Sequence, residues 1–144
     1  MKILSHVKKR PMEAWLGGIT AGLGLWTLLP STSMESSGYT KLLAMANEPT
    51  WGILFFLVGL ASWLSVVLNG LRWWTPFTRA AMNAATAMLY AAWVGGFWGV
   101  NPASTAVYVY LCLVIVSVRC FYLAALDVNT RVGELRARIN TRAI

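Results

Sequence analysis

Glu13, Asn69, Asn83 and Arg119 are the residues of this chain whose types could do chemistry inside an otherwise apolar setting. A carboxylate, two carboxamides and a guanidinium can form an ion pair supported by hydrogen bonds, hold a lipid headgroup, or line a transport path. Arg119 is the costliest of them, because it lies within a run of apolar residues, 105–126. Eight residues separate it from Asp127, about 12 Å of helix. Three roles are open to it: a structural pair or a side chain reaching to the interface, headgroup binding, and gating. Glu13 is its best carboxylate partner, with Asn69 and Asn83 as supplementary hydrogen bonders.

Enzymatic constellations are missing from the pattern. His6 is the single histidine and sits in a basic N-terminal stretch, which argues against a histidine-built metal or hydrolase centre. Cys112 and Cys120 are eight residues apart on one expected helix, about 12 Å along its axis, too far to pair with each other. Neither a phosphate-cradling glycine loop nor a nucleophile elbow occurs. The reading is therefore non-enzymatic, with no cofactor and no metal.

These residues must be positioned by four apolar stretches, 14–29, 51–71, 80–100 and 103–126, separated by segments that carry nearly all the charge. With 58% hydrophobic residues and a mean hydropathy of +0.60 in 144 residues, the expected fold is an all-α membrane protein. A backbone in lipid must satisfy its own hydrogen bonds, and barrel-like alternation is absent, so helices are expected. The architecture predicted is a four-transmembrane-helix bundle over residues 1–126, followed by a basic tail, 127–144. The first stretch is the shortest; a signal peptide is the alternative there, but Gly18, Gly22 and the bounding Trp15 and Trp26 favour a retained helix.

Charge sets the expected topology. Lys2, Lys8, Lys9, Arg10, Arg72, Arg79, Arg131, Arg136, Arg138 and Arg142 fall on one side, and Lys41 alone on the other. By the positive-inside tendency the protein is a multi-pass inner-membrane chain with both termini cytoplasmic. Trp51 and Trp98 mark its outer boundary; Trp15 and Trp73-Trp74 mark the inner one.

Small residues suggest where helices approach closely. Gly18 and Gly22 share a face of the first helix; Ala84, Ala87, Ala91 and Gly95 form a face of the third. Within the loop 31–50, two readings stay open: a short interfacial helix that turns Leu42, Leu43 and Met45 toward the membrane, or a wet surface loop. Val132, Leu135 and Ile139 interleave with Arg131, Arg136, Arg138 and Arg142, the pattern of a short basic amphipathic C-terminal helix extending from, or turning beside, the fourth span. Membrane lipids, a homo-oligomer or another membrane protein are the expected partners. Net charge of +7 without a base-reading motif argues against nucleic acid.

The segments Arg10-Pro-Met-Glu-Ala-Trp-Leu16, Gly22-Leu-Gly-Leu-Trp-Thr-Leu-Leu-Pro30, Trp51-Gly-Ile-Leu-Phe-Phe and Asn101-Pro-Ala-Ser-Thr105 resemble small four-span membrane proteins of tailed phages and prophages, sometimes described as holin-like. The resemblance implies a phage-related membrane protein and transfers no catalytic residue. The expected function is an integral scaffold or interaction subunit that oligomerises; the alternative is a holin-like permeabilising protein.

Overall fold

The computed structural model describes residues 10–29, 37–68 and 74–142, with side chains to residue 136. These residues form five α-helices: α1 (Pro11–Thr27), α2 (Thr40–Met45), α3 (Glu48–Val67), α4 (Thr75–Trp98) and α5 (Thr105–Arg142), with a 3₁₀ turn over Ser37–Tyr39 before α2. Local chemistry explains their starts. Pro11, Pro49 and Pro76 stand in the first turns of α1, α3 and α4, where a missing N–H costs nothing. Asn47 caps α3 by accepting from the Thr50 amide at 3.0 Å. Between α4 and α5 the Asn101 side chain accepts from the Ala103 amide at 3.1 Å, and the Ser104 hydroxyl accepts from Ala106 at 3.3 Å, turning the chain and opening α5.

The long helices pack as two antiparallel pairs, α1 on α3 and α4 on α5, joined through α3 and α4. Glycine sets the first contact. A Cβ at Gly17 would lie 2.8 Å from the Trp63 amide nitrogen, and one at Gly24 would overlap the Phe56 backbone and approach the Gly52 carbonyl to 2.7 Å. Gly59 is equally closed against Thr20 and Ala21. Gly17 and Gly24, and opposite them Gly52 and Gly59, thus recur every seven residues and allow backbone-to-backbone approach.

Several expectations are corrected here. Among the described residues two helices, not four, are long and apolar enough to cross a membrane: Glu48–Val67 and the Thr105–Arg136 portion of α5. At 17 residues, α1 covers only about 25 Å against a hydrocarbon core of about 30 Å. The 24 residues of α4 are diluted by Thr75, Thr78, Arg79, Asn83 and Thr86. The four-span, multi-pass inner-membrane architecture is overturned on those grounds. The short C-terminal helix is also overturned: the tail extends the last apolar stretch without turning beside it, because α5 runs through Asp127 without a break over 38 residues. Neither glycine nor proline interrupts residues 119–132, so nothing ends the helix there.

The short α2 turns only part of its apolar side outward. Leu42 is fully buried against Gly96, where a Cβ would come within 2.6 Å of the leucine Cγ, while Leu43 and Met45 are exposed. Trp51 is buried as well, and its indole donates to the Leu42 carbonyl at 3.0 Å, so it anchors α2 to α3 instead of marking a boundary.

Candidate functional site

Charged and polar side chains are buried inside this protein beside its apolar core. At the start of α1 and α4, Arg79 is 1% exposed and Glu13 4%. Arg79 donates from Nε to Glu13 Oε2 at 2.8 Å and from Nη2 to Oε1 at 2.6 Å, a two-pronged arrangement in which the planar fork matches the carboxylate. Its remaining Nη1 donates to Asp127 Oδ2 at 2.9 Å. Arg10 closes the ring, donating to Glu13 at 3.1 Å and to the same Asp127 oxygen at 2.5 Å. Two guanidinium groups and two carboxylates therefore balance in charge and tie together α1, α4 and α5.

Burial by itself would lower the pKa of Arg79, but the hydrogen bonds and charges of Glu13 and Asp127 outweigh it and hold the group above its usual value. The guanidinium is permanently charged, and both Glu13 oxygens accept from it. Such a carboxylate is a tie between helices and lacks the open face that a general base would need.

Beyond this cluster, hydroxyls link the helices at successive levels. Thr20 Oγ1 and the Tyr90 hydroxyl are 2.9 Å apart, joining α1 to α4, while Thr20 also donates to the Leu16 carbonyl at 2.7 Å. Tyr90 is therefore the donor in the shared bond. Ser62 and Thr86 join α3 to α4 at 3.4 Å.

At the far end an aromatic cluster fills the core. Trp93, 1% exposed, lies 4.9 Å from Phe55, 6.2 Å from Trp51, 6.0 Å from Phe97 and 5.0 Å from Tyr110, centre to centre. Its neighbours meet it edge-to-face, the arrangement aromatic quadrupoles favour. The Trp93 indole N–H has no hydrogen-bond acceptor among the described residues and is surrounded by π systems, which are weak acceptors.

The expected site residues are only partly brought together. Glu13 is central, but its partners are Arg79 and Arg10; Arg119 is exposed on α5 with no carboxylate within ion-pair distance among the described residues. Asn83 is buried one turn beyond Arg79. Asn69 lies outside the described residues. Gly18, Gly22 and Gly95 have open space where a Cβ would project, so the close α1 contact runs through Gly17 and Gly24. Ala84 and Ala87 are half-buried and Ala91 is exposed, beside the buried stripe of Asn83, Thr86, Tyr90 and Trp93. In the tail, Arg131 pairs with Glu134 at 3.2 Å in the open and Arg136 is exposed; the side chains of Arg138 and Arg142 lie outside the described residues.

Arg10, Arg79 and Asp127 are the members of the cluster that sequence reasoning passed over, having read the two arginines as flanking topogenic charges and Asp127 as the start of the tail. A signal was present. Arg79, Asn83, Thr86, Tyr90, Trp93 and Phe97 recur at three- and four-residue steps, so Arg79 shares the face of the bulky core residues. No protein-family model, no curated protein and no solved structure matches this chain, so the phage resemblance gains no support from comparison with known proteins.

Proposed function

We propose that this chain is a non-enzymatic, membrane-associated interaction subunit, which assembles with copies of itself or with another apolar protein surface. The observation that carries the reading is the distribution of polarity. Arg79, Glu13, Thr20, Ser62 and Thr86 are inside, whereas Trp15 (73% exposed), Met88 (73%), Ile115 (62%) and Tyr108 (60%) stand outside. In water each exposed side chain of that size forgoes about 1.5–3 kcal/mol of burial. An exterior of this kind matches hydrocarbon or a partner helix. The carboxylates of the interior are occupied by guanidinium groups, which favours a fixed body over a proton carrier.

Membrane fractionation and intact-complex mass measurement in gentle detergent test the reading together. Retention in alkali-washed membranes and a defined complex above the monomer mass are expected. Release as a detergent-free monomer would overturn the proposal. Expression with a membrane-impermeant dye separates the holin-like alternative: abrupt permeabilisation that disappears in an assembly-deficient variant would replace the interaction reading with that one.

A further inference from the structure

We infer that Arg119, with the outward surface of α5 around it, binds the phosphate headgroup and adjoining chain of an anionic phospholipid. The inference rests on the membrane-associated reading above. Residues 105–126 contain no charged residue except Arg119. On the same outward face Ile115, Val118 and Tyr122 are exposed, so the guanidinium stands in an apolar strip. Whereas Arg10, Arg79 and Arg131 each meet a carboxylate, Arg119 meets none among the described residues. A cation so placed is costly in hydrocarbon unless its charge is matched from outside the protein.

Charge and shape both select the occupant. The planar guanidinium presents a fork of N–H donors suited to two phosphate oxygens, a match that a zwitterionic headgroup offsets with its own cation. Tyr122 follows three residues later, on the same side of the helix, with a hydroxyl donor in reach of the same headgroup. Ile115 and Val118 supply the apolar contact for the acyl chain. Leu126, the last apolar residue of the stretch, is seven residues from Arg119, about 10 Å of helix, and the long arginine stem can span much of that distance toward the headgroup level.

The test uses the full chain in nanodiscs of phosphatidylcholine containing a minor fraction of phosphatidylglycerol, with retained lipid counted by native mass spectrometry. Wild type is expected to enrich phosphatidylglycerol. Arg119→Leu should reduce that enrichment about fivefold, the factor expected for one cation near an anionic surface. Arg119→Lys should restore part of it. Excess inorganic phosphate should leave the lipid bound, because free phosphate lacks the chain. Equal retention of the two lipids by wild type and Arg119→Leu, or displacement by inorganic phosphate, would overturn the site. Lipid retention unchanged by Arg119→Leu but accompanied by a smaller complex mass would assign the surface to a second copy and also overturn it. Failure of wild type to enter nanodiscs at all would defeat the membrane-associated reading itself, a separate outcome.

Discussion

Glu13 and Arg79 stand 66 positions apart in the chain and meet through two parallel hydrogen bonds, one to each carboxylate oxygen. Both are almost completely withdrawn from solvent, which makes this pair the polar centre of the fold. A buried pair of this sort repays little over a well-packed apolar pair, yet losing one member is expensive because the other remains as an uncompensated charge.

Arg79→Leu is therefore expected to destabilise the protein by about 3 kcal/mol, the lower end for breaking a buried pair, since Arg10 still faces Glu13. Glu13→Gln should cost a comparable amount. The double variant should be less unstable than the sum of the single ones, with coupling of about 0.5–3 kcal/mol. Thermal or denaturant unfolding in detergent, read by tryptophan fluorescence, supplies the cycle. Arg119→Leu combined with Glu13→Gln should instead be additive, because those two residues form no pair.

The pH dependence of the cluster follows from the raised pKa of Arg79. A cation with a raised folded-state pKa contributes stability that is complete below its unfolded value and is lost only as pH rises through the folded value. Alkaline pH short of that range leaves the Arg79 contribution intact. Arg79→Lys behaves differently, since lysine titrates near about 10.4 in its unperturbed state. The stability gap between wild type and Arg79→Lys should be constant near neutrality and widen above about pH 10, where the lysine loses its charge. A constant gap throughout would dismiss charge as the basis of the contact and leave only packing.

Helical character was legible because the long apolar runs lack barrel-like alternation, but the starts were not: the runs begin at 51 and 80, whereas α3 and α4 begin at Glu48 and Thr75. Glu13 was legible as a partner-seeking carboxylate. Its true partner was not, because the position of Arg79 between apolar segments fits a flanking charge as well as a buried one, and only the rotation of α4 decides between them. The packing glycines were missed for a similar reason. Gly18 and Gly22 have the familiar four-residue spacing, whereas the contact uses Gly17 and Gly24 at seven, a register that depends on the facing Gly52 and Gly59. Length was the third ambiguity: hydropathy alone extended α1 and α4 into spans, although α1 stops at Thr27 and α4 carries a polar face.

That register yields a direct comparison. Gly18→Ala and Gly22→Ala enter open space and replace glycine in a helix, so each should leave stability unchanged or raise it by about 0.4–1 kcal/mol. Gly24→Ala and Gly59→Ala place a methyl against the backbone of the opposite helix and should destabilise by about 1–3 kcal/mol, the range for overpacking. Unfolding midpoints of the four variants would decide it. Losses at Gly18 and Gly22 with none at Gly24 and Gly59 would move the contact back to the four-residue register.

Tyr90 offers a test of the link between α1 and α4 that leaves the aromatic cluster almost unchanged. Tyr90→Phe keeps the ring against Phe55 and Tyr110 but removes the hydroxyl that donates to Thr20. Thr20 retains its own bond to the Leu16 carbonyl, so no donor is stranded and only an acceptor goes unmet. The expected loss is about 1 kcal/mol, the net value of one intramolecular hydrogen bond. Thr20→Val strands the buried Tyr90 hydroxyl and should lose about 1–3 kcal/mol, and the two substitutions together should cost less than their sum, since both remove the same bond. Full additivity, measured as unfolding free energies of the three variants, would show that the two hydroxyls act independently and that their bond does not tie α1 to α4.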